Sequence, residues 1–286
     1  MTRLIQGLSE LAGRYDVILS DIWGVIHNGR EHFPEPCAAL ARWDAQTGPV
    51  VLISNAPRPA SDVVPQLDGL GVPRETWRAI VTSGDTTRHI LETYGEGPAW
   101  RIGPDRDAPL YEGLPLTFAP LAQAKLIALT GPDDDEVEGP EDYRDRLVQA
   151  AARKLPMVCA NPDIVVQRGD RLIYCGGALA ALYESLGGPV RMAGKPHAPI
   201  YAAAIEEASR LLGGPVDRRR VLCVGDGVVT DIRGANDHGL DVLFIASGIH
   251  GDAAKGPDGK LSPAGVAALL EPEGVTATYA MADLAW

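Results

Sequence analysis

The chain of 286 residues has no C-x-x-C pair, no long apolar run and no surplus of positive charge. Its four cysteines, Cys37, Cys159, Cys175 and Cys223, are scattered. That excludes a disulfide framework at this size and leaves zinc no ligand pattern. They read as buried thiols of a cytosolic protein. No stretch approaches the roughly 20 apolar residues of a membrane span. The first sixteen residues carry Glu10 and Asp16 and lack the apolar core of a secretory signal. Their Leu4, Ile5, Leu8 and Leu11 fit one face of a helix instead. A soluble, cytoplasmic protein is the expectation. The net charge of −12 argues against nucleic acid and anionic membrane as partners. On that ground the basic run at 217–220 is an exposed turn before a strand. A small anionic ligand remains compatible, because one site can be positive inside a negative protein.

Two nucleotide signatures are also missing. No G-x-G-x-x-G follows a strand, so a dehydrogenase-type dinucleotide fold has little support. "GGPVRMAGKP" resembles a phosphate-binding loop, but five residues separate Gly188 from Gly194 and Pro196 takes the place of the hydroxyl. A Walker motif needs four residues and then Ser or Thr.

What is there alternates. "DVILS", "PVVLISN", "AIVTS", "RVLCVGD" and "DVLFIAS" are short apolar runs, most of them followed by a loop and a helical pattern. This predicts an α/β fold with a mostly parallel sheet. The helix in "HAPIYAAAIEEASRLLGG" follows Lys195-Pro196, with His197 at its start in a structural role, and should stop at Gly213. The middle reads differently, with strands, a hairpin across Arg168-Gly169-Asp170 and acid-rich loops. Residues 80–187 are therefore expected to form a second domain inserted into a first one made of 1–79 and 188–286. The acid run "PDDDEVEGPED" is read as a solvated loop leading into a helix N-terminus rather than as a metal site.

Four stretches carry chemistry. "DVILSDIWG" ends a buried strand on Asp21 before a glycine-containing loop. "VLISNAPR" ends on Ser54 and Asn55. "AGKPHAP" offers Lys195. "VLCVGDGVVTDIRGA" gives Asp226 after a strand and Asp231 at a helix start, where Asp231 or Thr230 could cap. All would lie at C-terminal strand ends, the edge where open α/β sheets bind ligands. Asp21 and Asp226 can hold Mg²⁺ through hard oxygens. The Ser54 hydroxyl and nearby backbone N–H groups can hold a phosphate, and Lys195 can neutralise it. Asp21 can act as the nucleophile.

In order and residue type these four stretches resemble the motifs of the haloacid dehalogenase (HAD) superfamily. With "TSGDTT", "NPDIVVQ" and "YCGGALAALYESLG" they are most similar to its class IIA branch, the NagD-like and p-nitrophenyl-phosphatase-like hydrolases. The resemblance spans nearly the whole chain. It implies a Rossmann-like core with an inserted α/β cap, Mg²⁺ as cofactor and an aspartyl-phosphate on Asp21. It also implies that Ser54 binds the phosphoryl group with help from Asn55, that Lys195 pairs with it, and that Asp226 is a metal ligand. Asp231 would orient metal-bound water or Lys195, and the backbone carbonyl of Trp23 would complete the metal set. Gly24, His27, Asn161 and Asp163 are candidate substrate contacts. A homodimer through the cap and a small phosphorylated metabolite as substrate are expected.

One position departs from the pattern. Trp23 stands where the family's phosphatases have the aspartate that protonates the leaving group and activates water. An indole N–H has no useful acidity. General acid–base catalysis contributes about 10²–10⁴-fold, or roughly 3–5 kcal/mol. His27 could relay the proton, or be a loop histidine bonded for structure. The substrate could carry a good leaving group, or Trp23 could stack on an aromatic substrate. The leading expectation is a slowed Mg²⁺-dependent phosphohydrolase. The alternatives are a non-catalytic phospholigand-binding protein and a phosphoryl transferase.

Overall fold

The computed structural model describes residues 2–168, 171–247, 253–254, 256 and 259–286. The chain forms two units. The first comprises Met1–Ser54, Pro65–Val81 and Tyr201–Trp286, the second Asn55–Val64 and Thr82–Ile200.

Every residue of Val17–Ser20, Val50–Ser54 and Val221–Gly225 is buried. Strands covered on both faces must be apolar throughout, as in parallel sheets flanked by helices. These three are adjacent and parallel, with Ser20 opposite Leu52 on one side and Val224 on the other. They form the middle of a seven-stranded sheet. Its order is Arg3–Leu4, Tyr279–Met281, Asp241–Ile245, Val221–Gly225, Val17–Ser20, Val50–Ser54, Ala79–Thr82. From Val17–Ser20 the chain moves outward to one side, and later returns on the other. The strand order therefore switches at that strand, which opens a crevice beyond its C-terminal end.

The N-terminal segment is not the helix its leucines suggested. Arg3–Leu4 is an edge strand, whose flanking N–H groups, on Arg3 and Ile5, donate to the carbonyls of Thr278 and Ala280 at 3.1 Å. Leu8–Leu11 is a 3₁₀ turn, which puts residues three apart on one face, and both leucines are buried. The free edge of Tyr279–Met281 offers hydrogen bonds that a short helix could not match. The long helix falls as expected, at Ala198–Leu212, with Gly213 at φ +74° after it.

The second unit has a five-stranded sheet in the order Val190–Met192, Met157–Cys159, Leu126–Leu129, Gly97–Ile102, Leu116–Phe118, all pairs parallel. Its core is built on Ile127, Leu129, Tyr143, Leu147, Leu179 and Tyr183. The division differs from the expected boundaries. Residues 188–200 group with this unit because Val190–Met192 pairs with Met157–Cys159. Residues 55–64 join it as well, so its segments interleave with those of the first unit.

An antiparallel ribbon, Val165–Arg168 with Arg171–Tyr174, completes the unit. The turn of this hairpin, at 169–170, lies outside the described residues. The acid run beside it does lead into a helix, Arg144–Ala152, through a turn at Pro140–Tyr143. Several of its members are engaged rather than simply solvated. Asp135 pairs with Arg106 and, at 2.9 Å, with Arg168, while Glu136 pairs with Arg168 at 2.9 Å and Arg171 at 2.7 Å. The ribbon is thereby clipped to the loop by arginines distant in sequence.

Burial pushes the Asp135 carboxyl up, but hydrogen bonds and charge from Arg106 and Arg168 outweigh it and hold it below its ordinary value. A carboxyl depressed by folding stabilises above its unfolded pKa, and that stability is lost as pH falls through the folded one. Asp135→Asn is expected to lower stability by about 1–3 kcal/mol at pH 7. The difference from wild type should persist down to about pH 5 and shrink below about pH 4. Thermal melts of both proteins across that range check this.

Candidate active site

Val17–Ser20 ends where Asp21 N–H donates to the Val224 carbonyl at 2.8 Å, so Asp21 is fixed as the first residue past the strand. Its Oδ1 accepts the Ile22 N–H at 2.7 Å. Asp226 follows Gly225 at the end of the adjacent strand. Asp21, Asp226 and Asp231 are all buried, and each brings a carboxylate oxygen within 4.8 Å of the others. On the other side of Asp21, the register places Ser54 two residues beyond the partner of Ser20, at the same edge.

Three glycines make room for these acids. Gly24 has φ +84°, and a Cβ there would lie 2.2 Å from Asp226 Oδ2. A Cβ on Gly225 would lie 2.2 Å from Asp231 Cγ. Gly227 N–H donates to Asp231 Oδ2 at 3.0 Å. Asp231 thus satisfies a backbone donor from inside the turn rather than from a cap position. That turn, Val228–Ile232, is a π turn with Ile232 N–H bonded to the Gly227 carbonyl at 3.0 Å, and the α-helix begins only at Arg233. The insertion swings Asp231 back to the strand end. Sequence reading missed the π turn and the tight fit of Gly225. The G-D-G-x-x-x-D spacing was the available signal.

Trp23 is half-buried and reaches along its own loop. Its ring meets the ring of His27 edge-on at 5.1 Å. A Cβ on Gly29, where φ is +83°, would lie 2.3 Å from the far edge of the indole. His27 is buried, and its Nδ1 accepts the Gly29 N–H at 3.0 Å. Burial pushes its pKa down to about 4. The imidazole is therefore neutral with its proton on Nε2, bonded for structure, which tells against a proton relay through Nδ1.

The other predicted residues belong to the second unit. Asn55 Oδ1 accepts the Lys195 N–H at 2.7 Å, and its Nδ2 donates to the Lys195 carbonyl at 3.1 Å and to Asp163 Oδ1 at 2.8 Å. The Lys195 side chain is almost fully buried, at 2% exposure. Asn161 Oδ1 accepts the Asp163 N–H at 3.1 Å, closing the turn that shapes this stretch. Asn55, Asn161, Asp163 and Lys195 thus belong to one connected stretch.

Buried carboxylates converging at the switch-point edge of a parallel sheet offer hard oxygen ligands that could hold a divalent cation. Family comparison agrees. Residues 18–115 match the haloacid dehalogenase-like hydrolase model and residues 192–271 the HAD-hydrolase-like model. A crystal structure of a haloacid dehalogenase-like family hydrolase from Brucella suis 1330 is 43% identical. It superposes with a TM-score of 0.88, covering 98% of this chain and 100% of that one. The chain belongs to the haloacid dehalogenase-like hydrolase family. It is 25% identical to 5'-nucleotidase YutF of Bacillus subtilis over 82% of this chain and 88% of that protein. It is 27% identical to D-glycerol 3-phosphate phosphatase of Mycobacterium tuberculosis over 85% of this chain and 66% of that protein. The fold is shared with NagD from Escherichia coli, at a TM-score of 0.66, 19% identity and coverage of 99% and 97%. No helix among the described residues is long and apolar enough to cross a membrane.

Gly24→Ala is expected to force its methyl into Asp226 at a φ that an L-residue adopts at a cost of about 1–2 kcal/mol. The expected result is a melting temperature lower by about 2–8 °C, together with weakened Mg²⁺ binding. Thermal melts with and without Mg²⁺ check this, since the metal-induced rise should shrink.

Proposed function

We propose that the protein is a Mg²⁺-dependent phosphohydrolase of small phosphate monoesters, working through a phosphorylated Asp21, with slow hydrolysis of that intermediate. The observation that carries this reading is the buried triad of Asp21, Asp226 and Asp231. Its donor set suits a hard divalent cation, since all three residues offer carboxylate oxygens. Asp21, Asp226 and the Trp23 backbone carbonyl would hold Mg²⁺, with Asp231 acting on it through water. The ion would supply positive charge against the phosphoryl oxygens.

Asp21 attacks phosphorus, the ester P–O bond breaks, and the alcohol leaves with a proton from solvent. Ser54, together with nearby backbone N–H groups, holds the phosphoryl oxygens, and Lys195 neutralises them. Water then attacks phosphorus and the bond to Asp21 breaks, which releases inorganic phosphate and restores the carboxylate. Both halves need a proton moved, and Trp23 moves none. The phosphatase names of the two curated relatives support phosphate esters as the substrate class.

The test is phosphate release from p-nitrophenyl phosphate with Mg²⁺. Slow turnover that Asp21→Asn abolishes is expected. Trp23→Asp should restore the acid–base group and raise kcat by about 10²–10⁴-fold, in protein whose melt stays cooperative. A folded Trp23→Asp variant no faster than wild type would mean that the missing acid is not limiting. A wild type as inert as Asp21→Asn across several small phosphate esters would favour a non-catalytic phospholigand-binding protein. Turnover only with an added alcohol acceptor would favour a transferase.

A further inference from the structure

Asn55 follows the phosphate-binding Ser54 of the proposed mechanism, and the motif reading made it a helper at the phosphoryl group. Its side chain has other partners. An amide group has two hydrogens to donate. One goes to Asp163 Oδ1 at 2.8 Å and the other to the Lys195 carbonyl at 3.1 Å. Its oxygen accepts the Lys195 N–H at 2.7 Å. No side-chain hydrogen is left for a phosphoryl oxygen.

The partners are themselves held. Asp163 N–H donates to Asn161 Oδ1 at 3.1 Å, and the Asp163 carbonyl accepts the Gly177 N–H at 3.0 Å. A Cβ on Gly177 would lie 2.0 Å from the Pro162 carbonyl oxygen, so the start of the helix Gly176–Ser185 presses directly on this turn. Cys159, the last residue of a central strand, donates its thiol to the Asn161 carbonyl at 3.2 Å. At the far end, a Cβ on Gly194 would lie 2.6 Å from both Asn55 Oδ1 and Ser83 Oγ. An unbroken series of contacts therefore runs from the sheet of the second unit, through Asp163 and Asn55, to both main-chain polar groups of Lys195.

We infer that Asn55 is a positioning residue: with Asp163 as its anchor, it clasps the main chain of Lys195 and so fixes the point from which the lysine side chain extends. This rests on Lys195 acting at the phosphoryl group, as proposed above. Asn55 then controls the rate of phosphoryl transfer without touching the substrate. Misplacing a catalytic group by about 1 Å can cost about 10²-fold in rate.

The reciprocal exchange of Asn55 and Asp163 tests it. Asn55→Asp sets two carboxylates against each other, and kcat should fall by about 10²-fold with little change in KM. In Asn55→Asp combined with Asp163→Asn, the carboxylate at 55 accepts from both the Lys195 N–H and the amide at 163. Part of the lost kcat should return, because the bonds to residue 163 and to the Lys195 N–H are remade while the one to the Lys195 carbonyl is not. If Asn55 instead bound the phosphoryl group, a carboxylate there would repel it. The double variant would then stay as slow as Asn55→Asp, with raised KM, although its thermal midpoint recovered. That result would overturn the inference.

Hydrogen exchange at the Lys195 amide gives a readout independent of turnover. It should be slow in wild type, fast in Asn55→Ala and slow again in the double variant. Equal protection in all three would also overturn the inference. Should wild type and Asp21→Asn both be inert, the phosphatase reading fails, and the exchange series still decides whether the clasp exists.

Discussion

Three negative charges are brought together at one buried corner of the first unit. Two unit charges about 4.8 Å apart repel by roughly 3–4 kcal/mol at an effective dielectric constant near 20. Three such pairs come to about 10 kcal/mol, comparable to the whole stability of a folded domain. A positive charge or a proton among Asp21, Asp226 and Asp231 would offset that cost. A divalent cation answers that need with the ligand type it prefers. The glycines at 24, 225 and 227 are explained by the same requirement, because each lets backbone approach a carboxylate that a side chain would push away.

The sheet supplies the geometry. A parallel strand order that switches at Val17–Ser20 places the ends of Val50–Ser54 and Val221–Gly225 on either side of Asp21. The loop after Asp21 then determines what chemistry the corner can perform. In this chain that loop is filled by the Trp23 ring, packed on Gly29 and edge-on to His27. His27 is buried with its Nδ1 taken by the Gly29 N–H, and the indole of Trp23 has no useful acidity. The three carboxylates of Asp21, Asp226 and Asp231 remain.

Much of this was readable in the residues. Val17–Ser20 and Val221–Gly225 announced themselves as buried parallel strands by their apolar composition, and the acids after them followed from strand ends alone. The long helix ended at Gly213 as its left-handed conformation requires. Other features depended on partners that are distant in sequence. The leucines at 4, 8 and 11 have helical spacing, yet an open sheet edge at Tyr279–Met281 captured Arg3–Leu4. The acid run at 132–142 reads as solvated until Arg106, Arg168 and Arg171 are seen to converge on it. The role of Asn55 was hidden for the same reason, since Asp163 and Lys195 lie more than a hundred residues away. The π turn at Val228–Ile232 had only the G-D-G-x-x-x-D spacing to announce it.

The central claim is that Asp21 takes the phosphoryl group and that Trp23 delays its release. Rapid-quench kinetics with p-nitrophenyl phosphate and Mg²⁺, at high enzyme concentration, tests it most directly. The account predicts a burst of about one p-nitrophenol per active site followed by a slow phase, with acid-stable phosphate on Asp21 during that phase. Steady turnover from the first moment, with no phosphoenzyme accumulating, would contradict it.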